Sequence, residues 1–285
     1  MESSVNKRLL VAGLCSLGLC VSSLVQALEL LRADWQQGGV IIGQVPEGTQ
    51  VEYAGKRLQL SEDRQFVIGL GRDAPAEARI ITVDARGQRQ QHLFKVQQRQ
   101  YNIQKVTGVP QKTVTPDPEQ VERARREAQM ATEARKVDLP LTFFAQPFVW
   151  PLQGRITGVY GSQRFYNGVP NNPHYGVDIA RPVGTLVTAP AGGLVTLAHP
   201  DMFFSGGTLI IDHGHGLSST FIHLSEILVK KGDSITQGQV IAKVGMTGRA
   251  TGPHLDWRMN WFEERVDPQL LVGPMPKDSV TESSR

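Results

Sequence analysis

The segment Gly252–Trp261, GPHLDWRMNW, alternates polar and apolar side chains from His254 onward. A period of two is that of a β-strand, so we predict that His254, Asp256 and Arg258 share one face while the Leu, Met and Trp side chains face a core. Imidazole and carboxylate groups can both bind a metal and accept a proton. The plainer alternative is a solvated face on which Asp256 only pairs with Arg258.

Two earlier segments carry the same kinds of side chain. In HYGVD, His174 and Asp178 fall on one face if the segment is extended, and Gly176 between them leaves room for an ion. In FIHL, His223 stands alone, and a lone histidine is more often a structural partner in a core. Zinc accepts imidazole nitrogen and carboxylate oxygen, and a catalytic zinc site uses three protein ligands with one position left for water. Each segment alone is weak evidence, because short motifs recur by chance.

The order HYGVD, FIHL and GPHLD, with APAGGLV and VKKGDSITQGQVIAKVG between these segments, resembles the LytM or lysostaphin-type zinc endopeptidases that cut peptidoglycan peptides. The resemblance covers about residues 150 to 272. It implies a duplicated-hybrid-motif β-sheet domain with a groove along the sheet.

Carried over by position, the resemblance implies that His174 and Asp178 are zinc ligands and that His223 and His254 are catalytic. Asp256 stands where the family has its third zinc ligand, a histidine. Arg258 stands where the family usually has Glu. We interpret the two departures as a coupled replacement, in which Arg258 orients and partly neutralises Asp256. The extra carboxylate makes the metal centre less positive, so we expect a more alkaline activity optimum than in His-x-His relatives unless Arg258 restores the field.

Other polar residues are weaker candidates. Arg164, Tyr166 and Asn167 precede the first predicted ligand and are candidates for lining the groove and contacting substrate. His213 and His215 are predicted to lie in a Gly-rich turn and to have structural or solvent roles. His199 precedes a proline and is predicted to lie in a loop.

The organisation of the chain predicts an all-β protein with a helical connector. Residues 28–108 form a small β-sandwich-like domain, residues 109–149 a linker with a helix, residues 150–272 the LytM-type peptidase domain, and residues 273–285 a flexible tail. Gly-punctuated apolar runs predict the strands of the first domain: 40–45, 50–53, 66–70, 79–84 and 92–96. Asp117 is the expected N-cap of the linker helix, which either connects the domains through solvent or lies across the second one.

Residues 1–27 are typical of an export signal. Lys7 and Arg8 precede an apolar run too short for a comfortable membrane span, and Ala27 ends a short stretch suited to signal peptidase. Both cysteines, Cys15 and Cys20, lie in this segment, so we expect a mature chain without disulfides. Because no second apolar run follows, we also expect no transmembrane segment in the mature chain. A lipidated Cys20 is the competing interpretation. We therefore expect a periplasmic or cell-envelope protein.

The charge is nearly balanced, with 30 basic and 27 acidic residues, and gives no nucleic-acid footprint. The leading prediction is an exported zinc metalloendopeptidase that hydrolyses peptide cross-links of peptidoglycan. The alternative is a catalytically degenerate LytM-like module that binds the wall or activates another murein hydrolase. A further expectation is an envelope protein partner for the N-terminal domain.

Overall fold

The computed structural model describes residues 28–106, 118–166, 169–170 and 172–276. The predicted signal segment, Asp117, Asn167 and most of the predicted tail lie outside these residues. The strands of the N-terminal part are β1 Glu29–Ala33, β2 Val40–Gln44, β3 Gln50–Tyr53, β4 Lys56–Arg57, β5 Gln65–Gly69, β6 Glu77–Val83, β7 Arg89–Lys95 and β8 Ile103–Val106.

The remaining elements follow in chain order. They are helix α1 Pro118–Arg135, a 3₁₀ turn Phe143–Ala145, β9 Arg155–Gly158, β10 Gln163–Tyr166, β11 Val169–Pro170, β12 Gly176–Ala180, β13 Leu186–Thr188, β14 Gly193–Met202, β15 Gly206–Gly214, β16 Leu217–Leu224, β17 Glu226–Ile227, β18 Ser234–Ile235, β19 Val240–Lys243, β20 His254–Trp261, β21 Glu264–Val266 and helix α2 Pro268–Val272.

Two small antiparallel sheets form the N-terminal part, in the orders β1-β2-β5 and β4-β3-β6-β7. Each of the five strands predicted in this region is present, within three residues at either end. Val51 and Ile80 of one sheet and Ile41 and Ile68 of the other are fully buried in one hydrophobic cluster. Alternating burial along β6 produces this packing, because successive side chains of a strand point to opposite faces.

The larger sheet of the C-terminal part has the order β18-β14-β15-β16-β20-β12-β9, with β21 paired to β20. A second sheet, β13-β19-β17, adds strands to the same core. The apolar side chains of β20, Leu255, Trp257, Met259 and Trp261, all lie in that core and are at most 5% exposed. The predicted mostly β fold is confirmed.

Helix α1 lies across the large sheet, so the second of the two alternatives for the linker helix holds. Ala131 and Ala134 pack against Leu197, Met202 and Ile210 of β14 and β15. These small side chains allow a close approach even though most of the helix surface is polar. No helix among the described residues is long and apolar enough to cross a bilayer.

The two parts of the chain share one core rather than meeting at a wet interface. Trp261 packs against Tyr53 at a ring-centroid distance of 5.7 Å, and a Cβ at Gly69 would collide with Trp261. Asp267, 3% exposed, receives a 2.8 Å ion-pair contact from Arg99. Strand β8 also runs parallel to β10, so the end of the N-terminal part pairs with the segment that precedes His174.

Candidate metal centre

The register between β12 and β20 brings two carboxylates together. Asp178 is directly opposite Asp256, and Ala180 is directly opposite His254. Because side chains alternate along both strands, His254, Asp256 and Arg258 lie on the face away from the core, as the sequence predicts. A segment without regular structure before β12 places His174 beside this pair.

Arg258 holds Asp256 by three hydrogen bonds. Its Nε donates to both carboxylate oxygens, at 3.0 and 3.1 Å, and its Nη2 donates to Oδ2 at 2.6 Å. Burial works to raise the pKa of Asp256, but the charge and hydrogen bonds of Arg258 outweigh it and lower the pKa. Asp256 therefore stays ionised although it is almost completely buried.

Gly176 leaves space for the side chains of Asp256 and Arg258, whereas we expected it to leave space for an ion. A Cβ at Gly176 would collide with Oδ1 of Asp256 and Cγ of Arg258. The space left by the missing side chain thus belongs to the Asp256–Arg258 pair rather than to an ion. Gly158 does the same for Asp178, because a Cβ there would collide with its Oδ2.

Three possible metal ligands converge at this point: atoms of His174, Asp178 and Asp256 all lie within 4.8 Å of one another. His174 Nε2 is 3.3 Å from Asp178 Oδ1, yet both atoms are buried without a hydrogen bond within the described structure. Burial works to lower the pKa of His174, but the carboxylates of Asp178 and Asp256 outweigh it and raise the pKa. The unpaired ligand atoms of His174 and Asp178, together with the carboxylate of Asp256, fit Zn²⁺, the metal that the sequence predicts.

His223 reaches the same face because its own backbone is in the left-handed conformation. Ile222 is opposite Asp256 in the pairing of β16 with β20, so a regular strand would turn His223 toward the core. His223 instead has φ = 65°, and its backbone N–H bonds to Ser205 O at 2.8 Å. Its ring lies 4.8 Å from that of His254, centroid to centroid.

Both of these histidines are held in one tautomer. His223 Nδ1 is 2.8 Å from Thr247 O, and His254 Nδ1 is 2.8 Å from Gly252 O. Because a carbonyl oxygen can only accept, each Nδ1 carries the hydrogen and each Nε2 keeps a free lone pair. Burial lowers the pKa of His223, which keeps it neutral, and His254 Nε2 lies 3.8 Å from Asp178 Oδ1. Two proton acceptors thus border the ligand set.

Two of the predicted substrate contacts lie on strand β10. Arg164 and Tyr166 lie on β10, where Arg164 pairs with Gln104 and Tyr166 pairs with both Val106 and Val169, but their side chains lie outside the described part. Asn167 lies outside it altogether. Their contact with substrate stays a prediction.

The other histidines have structural roles or positions away from the site. His213 is fully buried, with its ring nitrogens 2.6 Å from Gly192 O and 2.7 Å from Ser219 Oγ, and burial lowers its pKa to about 4. It lies in strand β15, so its predicted place in the turn was wrong. His215 does lie in the turn, where its Nδ1 is 3.1 Å from Gln59 O of the N-terminal part. The prediction of a structural role is confirmed for both. His199 lies in strand β14, so its prediction as a loop residue was wrong.

Sequence reasoning missed two basic residues near the site, Arg135 at the end of α1 and Arg265 on β21. Asn260 pairs with Arg265 across the hairpin, so the polar face of β20 continues onto Arg265. The alternation of polar residues in β20, continued past the turn Phe262–Glu263, could therefore have identified Arg265. No comparable signal marks Arg135, whose position depends on how α1 packs.

Comparison with known proteins places this geometry in a family. Residues 172–268 match the model of peptidase family M23. A crystal structure from Pseudomonas aeruginosa assigned to peptidase M23 is 30% identical, covers 85% of this chain and 96% of that one, and has a TM-score of 0.66. The chain belongs to peptidase family M23. The expected LytM-type resemblance is thereby confirmed.

The M23 match contains every predicted ligand and both predicted catalytic histidines, but not Arg135. The likeness to the Pseudomonas M23 structure extends further, because residues 150–272 alone are too few to make up the covered share. At least part of the N-terminal region therefore belongs to the shared architecture.

Named M23 relatives match over shorter segments. Peptidoglycan DD-endopeptidase ShyA of Vibrio cholerae is 43% identical over 89 residues, which are 30% of this chain and 20% of the relative. DD-carboxypeptidase/endopeptidase Mpg of Neisseria meningitidis is 36% identical over 104 residues, 36% of this chain and 24% of the relative. The matched part is thus about a quarter or less of these two relatives.

Proposed function

We propose that this chain is an exported zinc metalloendopeptidase that hydrolyses peptide cross-links of peptidoglycan. The observation that carries the proposal is the convergence of His174, Asp178 and Asp256 beside two imidazoles with free Nε2 lone pairs. The names of the Vibrio and Neisseria relatives support peptidoglycan as the substrate. Export rests on the sequence of residues 1–27, and an envelope partner for residues 28–108 stays a prediction.

In this proposal, His174, Asp178 and Asp256 would hold zinc. When bound, zinc supplies Lewis acidity toward a peptide carbonyl and makes water more acidic. Arg258 keeps Asp256 ionised and fixed in orientation, which is the support that a ligating carboxylate needs.

The two histidines move the protons. Nε2 of His254 or His223 accepts a proton from the attacking water, and the resulting imidazolium returns it to the leaving amine nitrogen. While protonated, the ring can donate a hydrogen bond to a developing negative charge on oxygen. The backbone carbonyls of Gly252 and Thr247 keep Nδ1 protonated throughout, so only Nε2 takes part.

The test measures zinc content and turnover in one preparation. We expect about one zinc per chain and cleavage of cross-linked muropeptides by the chain, and loss of both in His174→Ala. His199→Ala is the matched control, because His199 lies on β14 outside the ligand set. A chain that binds zinc but cleaves no muropeptide would contradict the proposal.

A second candidate is the degenerate module that binds the wall or activates another hydrolase. The observation that favours it is that both oxygens of Asp256 already accept hydrogen bonds from Arg258, which competes with metal binding. A chain that stays metal-free in added zinc, binds peptidoglycan and leaves it intact would support this candidate.

A further inference from the structure

Three arginines from separate elements line one cavity beside the metal centre. Arg135 ends α1, Arg258 lies on β20 and Arg265 on β21, and all three border a cavity of about 240 Å³. Arg258 and Arg265 also line the neighbouring cavity of about 570 Å³, whose wall includes His174 and Asp178. The arginine cavity therefore adjoins the proposed ligand set.

Only one of these charges has a counterion in the described part of the chain. Arg258 is paired with Asp256. Arg265 donates to Asn260 Oδ1 at 3.2 Å and lies 5.5 Å from the centre of the Tyr175 ring, both neutral groups. Arg135 contacts Thr132 Oγ1 at 3.4 Å. Two guanidinium groups thus have no direct ion pair within residues 28–106, 118–166, 169–170 and 172–276, although the charges of Glu263 and Asp256 act on Arg135 and Arg265 respectively. Glu127 also lines the cavity, but its carboxylate pairs with Arg123.

The surroundings of Arg265 disfavour the charged form of its side chain. Burial, followed by the charges of Arg135 and Arg258, lowers the pKa of Arg265 to about 9, so the group remains charged at neutral pH. Thr220 faces the same cavity, is 5% exposed, and its Oγ1 has no hydrogen-bond partner within the described structure. A bound anion would offset the charge and accept from the guanidinium and hydroxyl donors.

We propose that Arg265 and Arg135 bind a carboxylate of the peptide substrate next to the bond that is cleaved. This inference rests on the proposed function, because it assigns one substrate group to the same site. A carboxylate is the planar, two-oxygen partner that a guanidinium binds with two hydrogen bonds. The carboxylate belongs either to the end of the peptide or to a side chain, and the proposal covers both sources.

The test compares binding of three cross-linked peptides to the zinc-loaded full chain. One peptide has all carboxylates free, one has its terminal carboxylates amidated, and one has its side-chain carboxylates amidated. Titration calorimetry uses a His254→Gln background, so that turnover does not disturb the measurement. We expect one of the amidated peptides to bind about tenfold more weakly than the free peptide, and the amidation that weakens binding identifies the source.

Arginine variants in the same background link this discrimination to the cavity. Arg265→Gln should weaken binding of the free peptide about tenfold. It should not change binding of the amidated peptide that the wild-type site binds more weakly. Arg135→Gln should act in the same direction. Arg265→Lys keeps the charge and should retain part of the discrimination, which separates a charge effect from misfolding. Arg126→Gln is the matched control, since Arg126 is exposed on the same helix as Arg135.

Equal binding of all three peptides would overturn the inference. So would an Arg265→Gln variant that binds the free and amidated peptides with the same proportional loss. Turnover of the three peptides by the chain with His254 intact is measured separately. Discrimination in binding without any cleavage would leave the carboxylate site standing and refute the proposed hydrolase.

Discussion

Asp178 and Asp256 lie directly opposite each other on the antiparallel strands β12 and β20. Like charges at facing positions destabilise a sheet unless a cation separates or pairs them. Arg258 supplies one positive charge, through three hydrogen bonds to Asp256. The strand pair is therefore built around cations.

Removal of Arg258 alone from the Asp256–Arg258 pair should destabilise the folded chain. Arg258→Met leaves an almost completely buried carboxylate without its partner, so the free energy of unfolding of the metal-free chain should fall by about 3–5 kcal/mol. Asp256→Leu combined with Arg258→Met should recover most of this loss. Chemical denaturation measures both, and Arg89→Met is the control, because its pair with Glu52 is more exposed and should contribute much less to stability. An Arg258→Met chain as stable as the wild type would contradict this prediction.

The same pair should set the pH dependence of activity. In Asp256→His, the donor set loses one negative charge while the positive charge of Arg258 stays, so the metal centre becomes more positive by one charge. We expect the activity optimum to move to lower pH in this variant. The measurement is a pH profile of kcat/KM for both chains at saturating zinc. Superimposable profiles would refute the assumed effect of Asp256.

Substitutions of His223 and His254 should lower activity without removing zinc. His254→Ala and His223→Gly should keep zinc but lower kcat by about 10²–10⁴-fold, since each removes a proton acceptor without removing a ligand. Glycine suits position 223 because the backbone there has φ = 65°, whereas Ala should cost about 1 kcal/mol more. Zinc analysis, kcat and thermal melting of the Gly and Ala variants measure these effects. Loss of zinc in His254→Ala would mean that His254 is itself a ligand.

Asp212 should make the protein less stable at high pH. Burial, opposed by a hydrogen bond from the Gly214 backbone and aided by Asp138, raises its pKa to about 7. A carboxyl whose pKa is higher in the folded chain stabilises it at low pH and loses that contribution as pH rises through the folded value. Asp212→Asn should therefore be more stable than the wild type by a few kcal/mol at about pH 8, and the difference should shrink toward about pH 4.

Denaturation curves across this pH range check the Asp212 prediction. Asp63→Asn, at an exposed position, is the control for exchanging Asp for Asn and should change stability little. A constant difference between Asp212→Asn and the wild type would show that the carboxyl does not titrate in this window.

Much of the site was accessible from the sequence because strand alternation is local. The period of two in the segment from His254 to Trp261 predicts both its buried apolar face and the shared face of Asp256 and Arg258. The resemblance added His174, Asp178 and His223. What was not accessible depends on tertiary packing: the facing register of Asp178 and Asp256, and the filling of the space at Gly176 by Asp256 and Arg258.

The remaining misses have similar causes. The positive φ of His223 is set by a bond to Ser205 from a neighbouring segment, which no propensity of FIHL reveals. Helix α1 has a mostly polar sequence typical of a solvated connector, and only small side chains such as Ala131 and Ala134 let it lie on the sheet. Its position in turn decides where Arg135 lies.

Trp261 ends the strand that carries Asp256 and packs against Tyr53 of the N-terminal sheets. The two parts of the chain therefore form one cooperative folding unit, in which neither can melt without exposing the other's core. Occupation of the metal centre is thermodynamically linked to the whole unit. Substitutions more than a hundred residues before the first predicted ligand will alter how much zinc the chain retains near its melting temperature.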